Sequence, residues 1–427
     1  MPSADTGAAR DAASLATQTT SRLPADTKLL PGTSAYRRAI LALFAAGTAT
    51  FLLLYSTQGV LPAISAGLRV TPAQASLTVA MTTAGLAVAL IPLSALSERF
   101  GRVPVMAASV FSAALIGLAV PFAPDLTTLV ALRTLQGVAL AGLPATAMAY
   151  LAEEVSQAAI ASAIGLYVAG NSIGGMCSRV IAGFVTQFAG WRVALGVLGV
   201  LSLACAVAFV LLAPKARHFR PAPISPRALA RTVGGHLGDP LLVRLYLLGM
   251  LFMAVFGSVY TVLGYRLTAA PFNLPEGLVG AIFLVYLVGT ASSAATGRLV
   301  AGLGRRGALY AGIALVAAGL GLTLLASLAA VLGGLVLITA GFFVGHATAS
   351  GAVGHTAKAA RAQASALYLT AYYIGNSVGG MVGATAYHGD GWPGTVAVGL
   401  IAMAAATGIT LYGTRAARRS SGRVRTA

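Results

Sequence analysis

The sequence predicts an all-α integral membrane protein of twelve spanning helices, arranged as two six-helix bundles related by a parallel repeat. Three observations carry this: a composition too apolar for water, apolar runs of membrane length, and short motifs that recur about 200 residues apart.

Of 427 residues, 57% are hydrophobic and 9% charged, with a mean hydropathy of +0.85. A soluble domain carries about a quarter charged residues. The excess apolar surface must face lipid, where every backbone N–H and C=O needs an internal partner, so helices or closed barrels are the choices. Barrel strands alternate polar and apolar residues, and these runs do not. The net charge of +18 is strung along tails and loops rather than gathered on a folded face, which argues against a nucleic-acid partner.

The elements follow in order. Residues 1–38 are rich in Ala, Ser and Thr and lack the apolar core of a signal peptide, so they read as a disordered cytoplasmic tail. Runs long enough to cross about 30 Å of hydrocarbon occupy roughly 39–62, 73–97, 103–121, 126–151, 158–187 and 191–213, giving an N-terminal bundle over 39–213. A polar cytoplasmic loop spans 214–239. Six further runs, near 240–267, 276–299, 307–327, 329–353, 362–386 and 394–413, make a C-terminal bundle over 240–414, followed by a basic cytoplasmic tail at 415–427. Lys and Arg in short loops stay cytoplasmic. Arg37, Arg38, Arg99, Arg102, Lys215 to Arg231, Arg305, Arg306, Lys358 and Arg361 fall on one side, which places both tails there. The loop at Glu153 and Glu154 adds nothing to this bias. Cys177 and Cys205 lie inside apolar runs, so no disulfide framework or metal site is read from them.

The halves repeat one another. Gly170-Asn171-Ser172-Ile173-Gly174-Gly175-Met176 matches Gly375-Asn376-Ser377-Val378-Gly379-Gly380-Met381 at an offset of 205. Gly101-Arg102 matches Gly304-Arg305 at 203, and Gly190-Trp191 matches Gly391-Trp392 at 201. Three landmarks in one order mark an internal repeat, and equivalent helices six apart run in the same direction.

Ser94-Ala95-Leu96-Ser97-Glu98-Arg99-Phe100-Gly101-Arg102 resembles the G-x-L-a-D-R-x-G-R loop of the major facilitator superfamily, with Ser for the first Gly and Glu for Asp. Gly297-Arg298-Leu299 through Gly304-Arg305-Arg306 keeps the ends of that motif, but Ala301 and Gly302 replace its acid and base. Arg133-Thr134-Leu135-Gln136-Gly137 resembles the family's R-x-x-Q-G. Tyr55-Ser56-Thr57-Gln58-Gly59-Val60-Leu61-Pro62 is similar to the first helix of its drug and arabinose exporters, and Gly170, Gly174 and Gly175 match part of an exporter motif in which Asn171 replaces Pro. The resemblance spans nearly the whole chain outside its tails. It implies the major facilitator fold, the twelve-helix exporter branch with drug:proton antiport, and a cytoplasmic gate at Ser94, Glu98, Arg99, Gly101, Arg102, Gly297, Gly304 and Arg305. Ordinary positive-inside anchoring around a turn glycine is the other reading of that loop.

An Arg at membrane depth is costly and normally faces a wet cavity or a partner. Arg133 is read as lining a substrate pathway, with snorkelling to the surface as the alternative; Gln136 shares its face. Arg179 has Ala384 as its repeat equivalent and breaks the symmetry of the lining. Tyr55, Gln58, Tyr167, Asn171, Tyr286, His346, Tyr372 and Asn376 supply further polar and aromatic groups to the pathway, although an interfacial belt would also account for Tyr55 and simple packing for His346. Gly170, Gly174, Gly175, Gly375, Gly379 and Gly380 let helices approach closely.

The ten acids, Asp5, Asp11, Asp26, Glu98, Asp125, Glu153, Glu154, Asp239, Glu276 and Asp390, all lie away from the middle of the predicted spans. Without a buried carboxylate, neutral, zwitterionic or anionic substrates are favoured over permanent cations. Protons remain possible coupling ions through Glu98, Asp125 or His346. The expected activity is alternating-access transport of a small drug-like, sugar or metabolite substrate, as proton-coupled efflux or as import or uniport. A polytopic sensor is the reading from another class. There is no P-loop, no metal constellation, no cofactor motif and no catalytic grouping at membrane depth. The partners expected are the substrate, membrane lipid and protons, with the chain a monomer in a bacterial inner membrane.

Overall fold

A computed structural model describes residues 28–221 and 225–425, with side chains described to residue 412. Residues 1–27 of the expected N-terminal tail lie outside the described residues, whereas 34–38 are already helical. The first helix starts early because Thr33 caps it, its hydroxyl accepting the Tyr36 N–H.

Among the described residues nine helices are long and apolar enough to cross a membrane. Three of them are broken by a glycine with non-helical backbone, at Gly190, Gly304 and Gly391, which makes twelve spans. They are α1 (Ser34–Leu68), α2 (Pro72–Phe100), α3 (Arg102–Phe122), α4 (Leu126–Glu154), α5 (160–189), α6 (191–212), α7 (Pro240–Thr268), α8 (276–303), α9 (305–322), α10 (Leu328–Thr356), α11 (361–390) and α12 (392–412). The chain is nearly all helical, an all-α membrane fold. Within the 214–239 loop a further helix forms over Pro226–Leu237, with Ser225 as its cap. Capping sets the other starts: a Thr71/Gln74 capping box with Pro72 for α2, Asp125 for α4, and Asp239 with Pro240 for α7.

Gly101, Gly190, Gly304 and Gly391 sit at φ 102°, 80°, 70° and 65° with extended ψ, a region open essentially to glycine alone. They are the two glycine pairs of the repeat, so each half turns from α2 to α3 and from α5 to α6, or from α8 to α9 and from α11 to α12, through the same backbone geometry. The repeat also sets helix packing. A Cβ on Gly170 or Gly174 would strike the Phe44 or Thr48 carbonyl of α1, and one on Gly375 or Gly379 would strike the Met250 or Ala254 carbonyl of α7. Thus α5 seats on α1 as α11 seats on α7, backbone against backbone.

The end of the molecule carrying residues 34 and 412 is here called proximal and the opposite end distal. Large apolar side chains such as Phe122, Phe188 and Ile401 are exposed around the outside, as a lipid-facing surface requires. The halves meet chiefly through α2 against α11 and α5 against α8.

Candidate functional site

The two membrane-depth arginines have different surroundings. Helix α1 is interrupted: its first segment ends at Leu54, and a turn at 55–57 leads into a 3-10 turn at Gln58–Val60. The break leaves helix-end carbonyls open to side-chain donors. Arg133 of α4 is one such donor: Nη1 donates at 2.8 Å to Leu53 O, which also accepts from Ser56, and Nη2 at 2.8 Å to Leu54 O. Nε donates to Thr78 O of α2 at 3.2 Å, and Nη1 also reaches Ser56 Oγ at 3.1 Å and Gln136 Oε1. Gln136 in turn donates to Ala113 O of α3 at 3.0 Å. Arg133 is 0% exposed. The structure buries Arg133 and Gln136 inside the N-terminal half, where they tie α1, α2, α3 and α4 together. Arg133 does not snorkel.

Arg179 of α5 stands at the meeting of the halves. Its Nε and Nη2 donate to Gln58 Oε1, the former at 2.9 Å, and its Nη1 donates to Gly175 O. Its guanidinium carbon lies 4.3 Å from the Tyr55 ring centroid, 4.9 Å from that of Tyr286 and 5.1 Å from that of Phe283, within cation–π range. Tyr55 belongs to the N-terminal half and the other two rings to α8 of the C-terminal half. Gln58 also crosses, its Nε2 donating to Thr261 Oγ1 of α7 at 3.4 Å.

Behind Tyr286 the C-terminal half builds an aromatic wall. Phe256 stacks on Phe342 at 4.1 Å, Tyr260 meets Tyr286 edge-on at 5.1 Å, and His346 lies 4.8 Å from the Tyr372 ring and 5.8 Å from that of Phe342. The hydroxyl of Tyr368 lies 2.9 Å from His346 Nδ1. The Tyr286 hydroxyl is buried with no partner. Tyr55, Gln58, Arg179, Tyr286, His346 and Tyr372 thus come together as one cluster. Asn376 sits beside it, donating to Thr83 Oγ1 of α2 at 3.3 Å. Tyr167 and Asn171 lie in the seam of α5 with α1, where Asn171 abuts Gly47. The acids among the described residues all stand near helix ends, so Arg179 has no carboxylate beside it.

Around this cluster the distal end is closed. Tyr265 bonds Ser65 at 2.5 Å and donates to Leu61 O at 3.0 Å, and Gln187 Oε1 accepts the Gly277 N–H at 3.1 Å. Gly183 and Gly280 bring α5 and α8 so near that a Cβ on Gly280 would lie 2.8 Å from Arg179 O. Midway, Ser377 donates to Ala80 O at 2.8 Å.

At the proximal end, Arg102 donates to Glu153 at 2.7 Å and to Ser97 Oγ at 2.7 Å, while Arg99 lies over Phe100 at 5.5 Å. Glu98, the acid of the motif, is not the partner of Arg102. Gly297 and Gly304 have open space where a Cβ would stand, and Arg305 is exposed. Glu154 accepts the His218 N–H at 2.7 Å, and its own carbonyl accepts the Leu29 N–H at 2.7 Å. Glu153 and Glu154, given no role from sequence, hold the motif arginine, the central loop and the segment before α1. The available signal was charge complementarity, two acids at the end of α4 facing Arg102 and the basic loop.

Comparisons with known proteins agree with this architecture. The family model described as Major Facilitator Superfamily matches residues 40–380. The chain is 40% identical to the MFS-type transporter YybF of Bacillus subtilis over 87% of this chain and 92% of that one. It is 38% identical to the inner membrane transport protein YnfM of Escherichia coli over 91% and 92%. Among solved structures it resembles a bacterial homologue of the human lysosomal transporter Spinster, described as inward-facing and unoccupied, with a TM-score of 0.74, 16% identity and coverage of 90% and 98%.

Proposed function

Because the chain belongs to the Major Facilitator Superfamily and is an integral membrane transporter of that type, we propose that it exports small neutral or anionic molecules with an aromatic or apolar body, in exchange for protons. The observation that carries this is Arg179, a guanidinium at the junction of the halves, ringed by Tyr55, Phe283 and Tyr286 with no carboxylate beside it. A fixed positive charge there repels cations and draws anionic or polarised groups, while the aromatic wall accepts the rest of the ligand. The basic loops support a cytoplasmic proximal end, and the printed description of the Escherichia coli relative as an inner membrane protein supports a bacterial inner membrane.

The mechanism is rocking of the halves about this site. With the distal end closed, substrate enters from the proximal side. Gln58 is shared between Arg179 and Thr261, so a substrate carboxylate or carbonyl that takes the guanidinium's donors displaces Gln58 and loosens its link to α7. Loading thereby weakens the distal closure. Contacts of Arg179 with Phe283 and Tyr286, about 0.5–2 kcal/mol each, must also break as the end opens. His346, paired with Tyr368 in the same wall, is assigned the proton site, since the acids lie elsewhere.

The test is collapse of a pH gradient in energised inside-out vesicles on adding neutral, anionic and quaternary-ammonium compounds. Collapse with neutral or anionic compounds, absent with the quaternary cations and lost in Arg179→Gln, is expected. Collapse driven by the cations would overturn the substrate class; no collapse with correctly inserted protein would turn the reading to import or uniport.

A further inference from the structure

The distal end of the C-terminal half holds a cavity of about 280 Å³ apart from the Arg179 cluster. Arg266 from the end of α7, Phe272 from the following turn, Tyr387 of α11, and Trp392 and Pro393 of α12 line it. The Arg266 guanidinium carbon lies 4.4 Å from the Trp392 ring centroid and 5.7 Å from that of Phe272. Its Nη2 donates to Leu325 O at 3.3 Å, and Nη1 is buried with no partner. No acid lines the cavity. A guanidinium with donors unused, set among aromatic rings, matches an anion carried on a flat or apolar body.

The internal repeat separates a ligand role from a structural one. In the N-terminal half Arg192 lies over Trp191 at 4.2 Å and donates to Ala123 O at 3.1 Å. Trp191 and Ala123 precede Trp392 and Leu325 by 201 and 202 residues. The same frame of tryptophan, loop carbonyl and guanidinium is therefore built twice, but from arginines at unrelated positions: Arg192 follows its tryptophan directly, whereas Pro393 follows Trp392 and the cation arrives from α7. Stapling a loop to a helix needs the stacked ring and one carbonyl bond, which both halves have. The cavity beside Arg266 exceeds that need.

We infer that this cavity is a binding site for a small organic monocarboxylate. Its volume is at the lower edge of the range of about 300–1,000 Å³ for drug-sized sites, which suits a fragment of one ring. Arg266 follows Tyr265, whose hydroxyl joins α7 to α1 across the halves, and the Tyr265 ring lies 6.0 Å from that of Tyr387. The occupant sits against the distal closure rather than in the Arg179 cluster.

The chain has two tryptophans, so Trp191→Phe leaves Trp392 as a reporter inside the proposed site. Its fluorescence in purified, detergent-solubilised full-length protein is titrated with benzoate, and with benzamide as the uncharged counterpart. A saturable change with benzoate, weaker by about tenfold or more with benzamide and in Arg266→Gln, and kept in Arg179→Gln, is expected. Should Arg266→Gln fail to fold, Ala326→Leu narrows the cavity with the guanidinium kept, and loss of the benzoate response is expected there. No saturable change with benzoate, an equal response to benzamide, or a response lost in Arg179→Gln but kept in Arg266→Gln or Ala326→Leu would overturn the assignment.

Discussion

At the scale of single residues, two buried arginines meet the same cost of membrane burial by different means, and the difference yields opposed predictions. Arg133 is bonded to backbone carbonyls of α1 and α2. Arg133→Leu takes the side-chain donor from the buried Leu54 carbonyl, at about 1–3 kcal/mol for a group left short, and unties α1 from α2 and α4, although the Leu53 and Thr78 carbonyls keep Ser56 and Thr82 as donors. A fall of several degrees in Tm and a reduced yield of folded protein are expected, while Arg179→Gln loses transport with a smaller fall in Tm; a Tm unchanged in Arg133→Leu would sink the framework role. Sequence brought Arg133 forward through its motif and its depth, but not its role, because the interruption of α1 at 55–57 that creates the needy carbonyls has no proline or charge to mark its start. Arg179 was legible as a break in the repeat, and the structure gives that asymmetry its partners. At the distal start of α4, Asp125 accepts the Thr128 N–H at 2.8 Å, and that bond pulls its carboxyl below the ordinary value of 3.8. A lowered folded-state value means the cap stabilises fully above the ordinary value and fades as pH falls through the lowered one. The Tm gap between the native chain and Asp125→Ala should be constant from pH 7 down to about 4 and shrink below that. A gap that widens on acidification would contradict the assignment.

At the scale of elements, four of the glycines that announced the repeat, Gly101, Gly190, Gly304 and Gly391, have backbone that only glycine readily adopts. Gly190 has open space where a Cβ would stand, so Gly190→Ala tests the backbone alone, at about 1–3 kcal/mol. Gly137 of α4 has ordinary helical backbone, but its Cβ would strike the Thr82 carbonyl, so Gly137→Ala must push α4 from α2 and is expected to lower Tm further than Gly190→Ala. The reverse order would mean that close helix contact matters less here than turn geometry. Helix number and the two-bundle plan were legible because apolar length and repeated Gly-Arg and Gly-Trp pairs are local signals. What joins loops was not: Arg102 pairs with Glu153 across 51 residues, and nothing in the local pattern distinguishes that acid from Glu98 three residues before the motif glycine.

At the scale of the whole molecule, the distal contacts join the two halves across the end opposite residues 34 and 412. The polar bonds there are few, and the α5–α8 approach at Gly183 and Gly280 relies on the absence of side chains. A rocking transporter needs such an end to open and shut in turn. If the closure is an obligatory partner of the transport cycle, fixing it must stop transport while leaving ligand able to enter from the proximal side. Gln187 and Gly277 face one another there, joined by a hydrogen bond of 3.1 Å. In a chain with Cys177→Ser and Cys205→Ser, Gln187→Cys and Gly277→Cys bridged by a short reducible thiol crosslinker should abolish flux while binding to the proximal-open state persists, and reduction should restore flux. Each single-cysteine chain treated alike should keep transporting, which separates crosslinking from modification. Flux that continues in fully bridged protein would show that the α5–α8 seam stays shut throughout the cycle, and the opening would then have to lie at another pair of helices, with α2 and α11 the next to bridge.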